Sequence, residues 1–108
     1  MTVSDGFLEY ILDQLSAWHE VSARRMFGGV GLYCEGKMFG LIADDVAYLK
    51  VDETNKDKFI AAGASPLKPY ANKPTTMSYY EIPVDILENP EELIKWAEES
   101  LSIQKKQK

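Results

Sequence analysis

One histidine and one cysteine occur in 108 residues, so the reactive side chains can be weighed singly. His19 has no second histidine with which to build a two-histidine metal site or a paired-imidazole mechanism. It follows Trp18 at the close of a helical pattern, where a partly exposed cation suits the negative end of a helix dipole. Cys34 lies in an alternating β-type segment, one residue before a turn signal. A thiolate nucleophile needs a helix N-terminus or a neighbouring base. The local sequence offers neither, and Cys34 reads as a core residue that can close no internal disulfide. Gly28-Gly29-Val30-Gly31 has the composition of a phosphate loop, yet a strand pattern follows it instead of a helix. The Gly-Lys-Ser/Thr ending of such loops is missing too, so these glycines imply a bulge or a close backbone approach. Asp44-Asp45 and Asp52-Glu53 fall at turn and cap signals, where acids bond locally; no calcium-loop spacing surrounds them. The expectation is a chain with no catalytic, metal or cofactor residues, not an enzyme.

Two other groups suit contact better than reaction. Arg24-Arg25-Met26-Phe27 sets consecutive arginines beside two large apolar residues. On a strand Arg24 and Arg25 point to opposite faces, so one is expected to meet a carboxylate of a terminal helix while the other stays available to a partner. Arginine, methionine and aromatics are the types enriched at interface cores. Tyr79-Tyr80, with Met77 and Glu81 nearby, decorate both faces of a late strand, and Tyr33, Tyr48 and Tyr70 add further amphipathic aromatics. Arg24, Arg25, Met26, Phe27, Tyr79 and Tyr80 are accordingly the candidate interaction surface. The alternative use of the tyrosines is a lined sheet face that holds a small ligand or a peptide.

Charge limits the partners. The net charge is −5, and it is carried by the ends. Residues 1–20 hold four acids and no Lys or Arg, while residues 76–103 hold seven acids against Lys95. Residues 21–75 carry eight bases and six acids, and the final five residues contain three lysines. Independent DNA binding needs clustered cations to neutralise phosphates and is not expected here. Single-stranded nucleic acid stacking on a sheet is disfavoured by the same acidity. The apolar share of 45% supports one packed domain, and no apolar run reaches the roughly 20 residues of a membrane span. Met1 to Asp5 show no basic and apolar leader, so the expected compartment is the cytoplasm.

The elements that hold these groups follow from periodicity. Phe7, Leu8, Ile11, Leu12, Leu15 and Trp18 form one face of a helix over residues 5–18, with Ser4 as its N-cap. Val30, Leu32 and Cys34 alternate with Gly31, Tyr33 and Glu35, and Glu35-Gly36 turns into a strand over Lys37–Ala43. Both faces of that second strand are apolar or small, which predicts a central position. Asp44-Asp45 turns into a third strand, Val46–Val51, and connections this short require antiparallel pairing. Thr54-Asn55-Lys56-Asp57 has the form of a capping box before a short helix that stops at Gly63. Prolines at 66, 69 and 74 mark a loop, before a strand at Thr76–Ile82 that part of residues 67–71 is placed to pair. Asn89-Pro90-Glu91-Glu92 gives an N-cap, a proline at the first helical position and early acids. Leu93, Ile94, Ala97 and Leu101 are the buried face of that last helix. The result is an α+β, two-layer domain, an antiparallel sheet packed by helices, over residues 1–103, with 104–108 as a basic tail.

In this order and spacing the blocks resemble a known family. Arg24-Arg25-Met26-Phe27-Gly28-Gly29, Gly31-Leu32-Tyr33, Met38 to Asp45, Tyr48 to Asp52, Lys73-Pro74, Thr76 to Glu81 and the Pro-Glu-Glu-Leu helix start look like the N-terminal domain of the TfoX/Sxy family. The resemblance implies helices against an antiparallel sheet in the order helix, three strands, helix, one or two strands, helix, similar to type III secretion chaperones. It implies a bacterial cytoplasmic protein and, from the two-domain members, regulation of natural competence by co-activation with the cyclic-AMP receptor protein. The chain is expected to be a stand-alone N-terminal domain without the C-terminal helical domain of those regulators. The function expected is therefore a non-enzymatic regulatory or protein-interaction domain, with transcription machinery or a cyclic-AMP-receptor-like activator as partner and homodimerisation as a further mode.

Overall fold

A computed structural model describes residues 5–18, 20–26, 29–65 and 79–106. Chain order is α1 (Asp5–Gln14), β1 (Ser22–Met26), β2 (Gly29–Cys34), β3 (Lys37–Ala43), β4 (Val46–Lys50), α2 (Lys56–Ala61), β5 (Tyr79–Glu81), α3 (Val84–Leu87) and α4 (Pro90–Lys106). The five strands form one antiparallel sheet in sequential order, β1-β2-β3-β4-β5. The α+β class and the central place of Lys37–Ala43 are as the sequence predicts. Four strands precede α2 where three are expected. Residues 22–26 pair along β2, with Met26 opposite Gly29, and their polar composition hides a strand that has one neighbour among the described residues.

Turn chemistry sets the hairpins. Glu35 and Gly36 have φ of 54° and 78°, and Asp44 and Asp45 have 53° and 57°. Two successive left-handed residues match the twist of a two-residue hairpin, and Asp tolerates that region better than most side chains. The ladder between β2 and β3 shifts at Leu32/Tyr33, where Gly40 faces Leu32 but Met38 faces Tyr33. One extra residue, Phe39, is thereby inserted in β3 and reaches the core at 0% exposure.

All the helices cover one face of this sheet. Val30, Leu32, Cys34, Phe39, Ile42, Ala47 and Leu49 from the strands share a buried cluster with Ile11 and Leu15, Phe59, and Leu93, Ala97 and Leu101. Leu15 and Trp18 belong to the predicted α1 face. The α-helix stops at Gln14, however, and its continuation tightens into i→i−3 bonds from Ser16 to Asp13 and from Trp18 to Leu15. That turn brings the Trp18 ring edge-on to Phe39, 5.2 Å between centroids. Ser4 lies outside the described residues, as do Thr76–Ser78 of the predicted late strand and the 67–71 segment.

The entry to α2 departs from the predicted capping box. Asn55 Oδ1 accepts from the Asp52 backbone N–H and its Nδ2 donates to the Lys50 carbonyl, so it faces back into the sheet at 4% exposure. Asp52 takes the local bonds instead, accepting from the backbone and hydroxyl of Thr54. Those bonds to the ionised form hold the Asp52 carboxyl below its usual range. The helix ends as predicted: Gly63, at φ 79°, donates to Ile60 while Ala64 donates to Phe59. Asn89 also caps α4 as predicted, its Oδ1 accepting from the Glu92 N–H at 3.3 Å. This last helix extends to Lys106. Residues 104–106, expected in a basic tail, are instead helical and anchored. Gln104 Nε2 donates to the Met38 carbonyl, and Lys105 meets Glu35 at 3.1 Å.

Gly40 sits at a close approach of two strands. A Cβ there would stand 2.6 Å from the Tyr48 carbonyl oxygen and 3.3 Å from Leu49 Cδ2. Gly40→Ala should therefore cost about 1–3 kcal/mol through overpacking. Gly6→Ala, in helix α1 with nothing within 4 Å, should be neutral or stabilising by up to about 1 kcal/mol. Paired urea titrations check the contrast; equal stability of the two variants would contradict the packing described.

Candidate functional site

Register divides the sheet residues between two faces. Arg25, Val30, Ile42 and Ala47 are aligned across β1 to β4, as are Leu32, Gly40, Leu49 and Tyr80 across β2 to β5. These two rows lie on the helix-covered side. The opposite side carries Arg24, Gly31, Leu41, Tyr48 and Glu81 in one row, with Tyr33 aligned to Met38 and Lys50 to Tyr79. Tyr33, Met38, Leu41, Tyr48 and Lys50 are all half-buried, and none belongs to the buried cluster.

Arg24 and Arg25 separate as strand geometry requires. Arg25 Nη2 lies 3.2 Å from Asp5 Oδ1 of α1, with the two side chains 65% and 89% exposed. This is the carboxylate pairing the sequence predicts, and exposure of that order limits it to about 0–1 kcal/mol. Arg24 stands opposite Gly31, which offers no side chain, and its guanidinium lies 5.2 Å from the centre of the Tyr33 ring. A parallel arrangement holds Lys50 Nζ 5.3 Å from the Tyr79 ring centre. Met26 ends β1 with its backbone opposite Gly29; Phe27 lies outside the described residues, as do His19, Gly28, Tyr70 and Met77.

The structure does not unite Arg24 and Arg25 with Tyr79 and Tyr80 in one surface. β1 and β5 are the two ends of the sheet, separated by four inter-strand spacings, about 19 Å. Tyr80 also points into the helix layer, its ring 6.1 Å from Phe59, which in turn meets Trp96 at 4.7 Å. Tyr79 is buried at 4% exposure, with Gln104 Nε2 3.4 Å from its hydroxyl. Burial pushes that hydroxyl up to about 12, so it stays protonated at neutral pH. The sequence singles out Arg24 but not its neighbours Met38 and Leu41. The extra residue in β3 breaks the alternation by which their face would be read.

A second concavity, of about 640 Å³, opens between the end of α2, β5 and α3. Pro83, Val84, Ile86 and Trp96 line it together with Lys58, Glu81 and Asp85. Lys58 is engaged twice, by Glu99 and by the Trp96 ring 4.3 Å away. Among the described residues no group of three or more His, Cys, Asp or Glu is placed to hold a metal ion. Cys34 is buried at 1% exposure, and burial, aided by the Glu35 carboxylate, pushes its thiol above the usual range. That is the reverse of an activated nucleophile. No described helix is long and apolar enough to cross a membrane.

These placements give two expected outcomes. Tyr80→Ala should lower stability by about 2–3 kcal/mol through a lost core contact, whereas Arg24→Glu should change it by no more than about 0.5 kcal/mol; chemical denaturation distinguishes them. Cys34 should resist a disulfide-exchange reagent at mildly alkaline pH in the native protein and react fully in concentrated guanidinium. Rapid native labelling would place the thiol in a more open setting than the sheet interior.

Comparison with known sequences agrees with the architecture. No curated protein matches the chain at a significant level. The family model of the TfoX N-terminal domain matches residues 13–103, a span that runs from within α1 to the third residue before the end of α4 and includes every strand. The chain belongs to the TfoX N-terminal domain family.

Proposed function

We propose that this domain is a non-enzymatic regulatory module that works by docking on another protein, in the manner of the N-terminal domain of competence regulators. The observation that carries the reading is the sheet face opposite the helices. There Arg24 over Tyr33, with Met38, Leu41, Tyr48 and Lys50, offers cationic, aromatic and thioether groups on a rigid platform. Those are the side-chain types that dominate interface cores, and strands hold them in place before any partner arrives, which lowers the ordering cost of association. Family membership supports the regulatory part of the reading. In its finer form the module co-activates transcription in the cytoplasm beside a cyclic-AMP-receptor-like activator, without reading DNA itself, as the net charge of −5 favours.

The test is affinity capture from nuclease-treated extract of the source cell, with wild type beside Arg24→Glu/Lys50→Glu. Both substitutions lie on the helix-free face, and far-UV circular dichroism and melting should be nearly unchanged. RNA polymerase or an activator of that class should be recovered by the wild type and lost by the variant. Recovery of the tagged chain alone would sink the docking reading.

A further inference from the structure

The outer side of β1 is a second contact element. We propose that β1 (Ser22–Met26) accepts an extended, acidic segment of a partner protein as a sixth strand. The proposal rests on the docking reading above and names the chemistry of the partner. β1 ends the sheet, pairing with β2 on one side, and no described strand pairs on its other side. Ser22, Ala23, Arg24 and Arg25 are all exposed. Such an edge presents main-chain donors and acceptors to an incoming strand, and side-chain contacts decide which strand is admitted.

The side-chain code here is two adjacent arginines. They project to opposite faces, Arg24 over Tyr33 and Arg25 toward Asp5. A partner strand with two adjacent carboxylates would place one on each face, opposite a guanidinium that already has a defined position. Arg25 keeps free donors beyond its single exposed bond to Asp5, so a second carboxylate adds to that pair instead of displacing it. Charge-assisted bonds of this type are stronger than neutral ones.

The same arginines disfavour the self-pairings of β1 that would bring them face to face. An antiparallel self-pairing centred on Arg24 sets the two Arg24 side chains opposite each other. Centred between Arg24 and Arg25, it sets each arginine across from one. Like charges directly opposite on a sheet are destabilising, and edge cations are a known protection against self-association. An acidic heterologous strand meets no such penalty.

The probe is a fluorescein-labelled nonapeptide of alternating valine and threonine with two adjacent glutamates at its centre. Its anisotropy should rise on titration with the full chain, and raising the salt from about 0.05 to about 0.5 M should weaken binding severalfold. Two control peptides, one with central lysines and one N-methylated at alternate residues, should fail to bind. Amide exchange should slow at Ser22–Met26, and Arg24→Ala/Arg25→Ala should lower affinity at least tenfold with an unchanged melting transition. Binding of the lysine peptide, tolerance of N-methylation, or protection at Tyr79–Glu81 instead of β1 would each overturn the proposal. So would a doubled mass by light scattering with Ser22–Met26 protected in the absence of peptide, which would assign the edge to a homodimer. A photo-crosslinking residue at Ala23, which is exposed on β1 but aligned with Leu32 of the other face, compared with one at Tyr48, separates the two readings in extract. Partner adducts at Tyr48 alone would overturn the edge and keep the docking module; adducts at neither position would overturn both.

Discussion

The carbonyl of Lys50 is where three parts of the domain meet. It ends β4, and it accepts one hydrogen bond from Asn55 at the entry to α2 and another, at 2.7 Å, from the Ser100 hydroxyl in the middle of α4. Both donors are buried, at 4% and 0% exposure. A buried polar group is tolerable only when its partners are in place, so Asn55 and Ser100 hold α2 and α4 in one register against the end of the strand. A backbone carbonyl has two lone pairs, and here each helix uses one of them. Hydrogen bonds are directional where apolar contacts are not, so this carbonyl adds a positional constraint to the packing of Leu93, Ala97 and Leu101.

From that anchoring follows the asymmetry of the molecule. With α4 fixed to β3 and β4, and α1 closing over β2 and the Trp18–Phe39 contact, one face of the sheet is spent on the core. Among the described residues, no helix packs on the other face. One edge of the sheet is already modified: the Ser65 carbonyl accepts from the Glu81 N–H at 2.9 Å, outside β5. β1 has no such contact among the described backbone bonds and carries two guanidinium groups instead. The two ends of one sheet are thus treated differently, one by main chain and one by charge.

Much of this is legible in the residues. Alternation in Val30-Leu32-Cys34, the two-residue turns, the Gly63 stop and the Asn89 cap all act through near neighbours, and near neighbours are what a sequence displays. What it hides is set by distance along the chain. Asn55 has the spacing of a cap, and only the fold shows that a carbonyl five residues earlier and a helix 45 residues later claim it for the interior. Tyr79 and Tyr80 look like a pair, yet one strand step sends Tyr80 to Phe59 and Tyr79 to Gln104. Arg24 and Arg25 were separable by strand parity alone; that the tyrosines lie at the other end of the sheet depends on strand order, which no local pattern encodes. The extra residue at Phe39 moves Met38 and Leu41 to the open face without leaving a mark that composition would reveal.

The Ser100 bond also bears on how the chain is made. β1 to β4 are joined by connections of two residues, contacts of short sequence separation that pair early. Helix α1 precedes them, but the part of their apolar face that meets α4 is covered only when the segment around Leu93 to Leu101 arrives, some fifty residues after Lys50. During synthesis, which proceeds from the N-terminus at about 5–20 residues per second, β3 and β4 therefore wait several seconds for their α4 contacts. The Ser100 bond to the Lys50 carbonyl closes only at the end of that interval, so the polar anchor of the fold is among its last contacts to form.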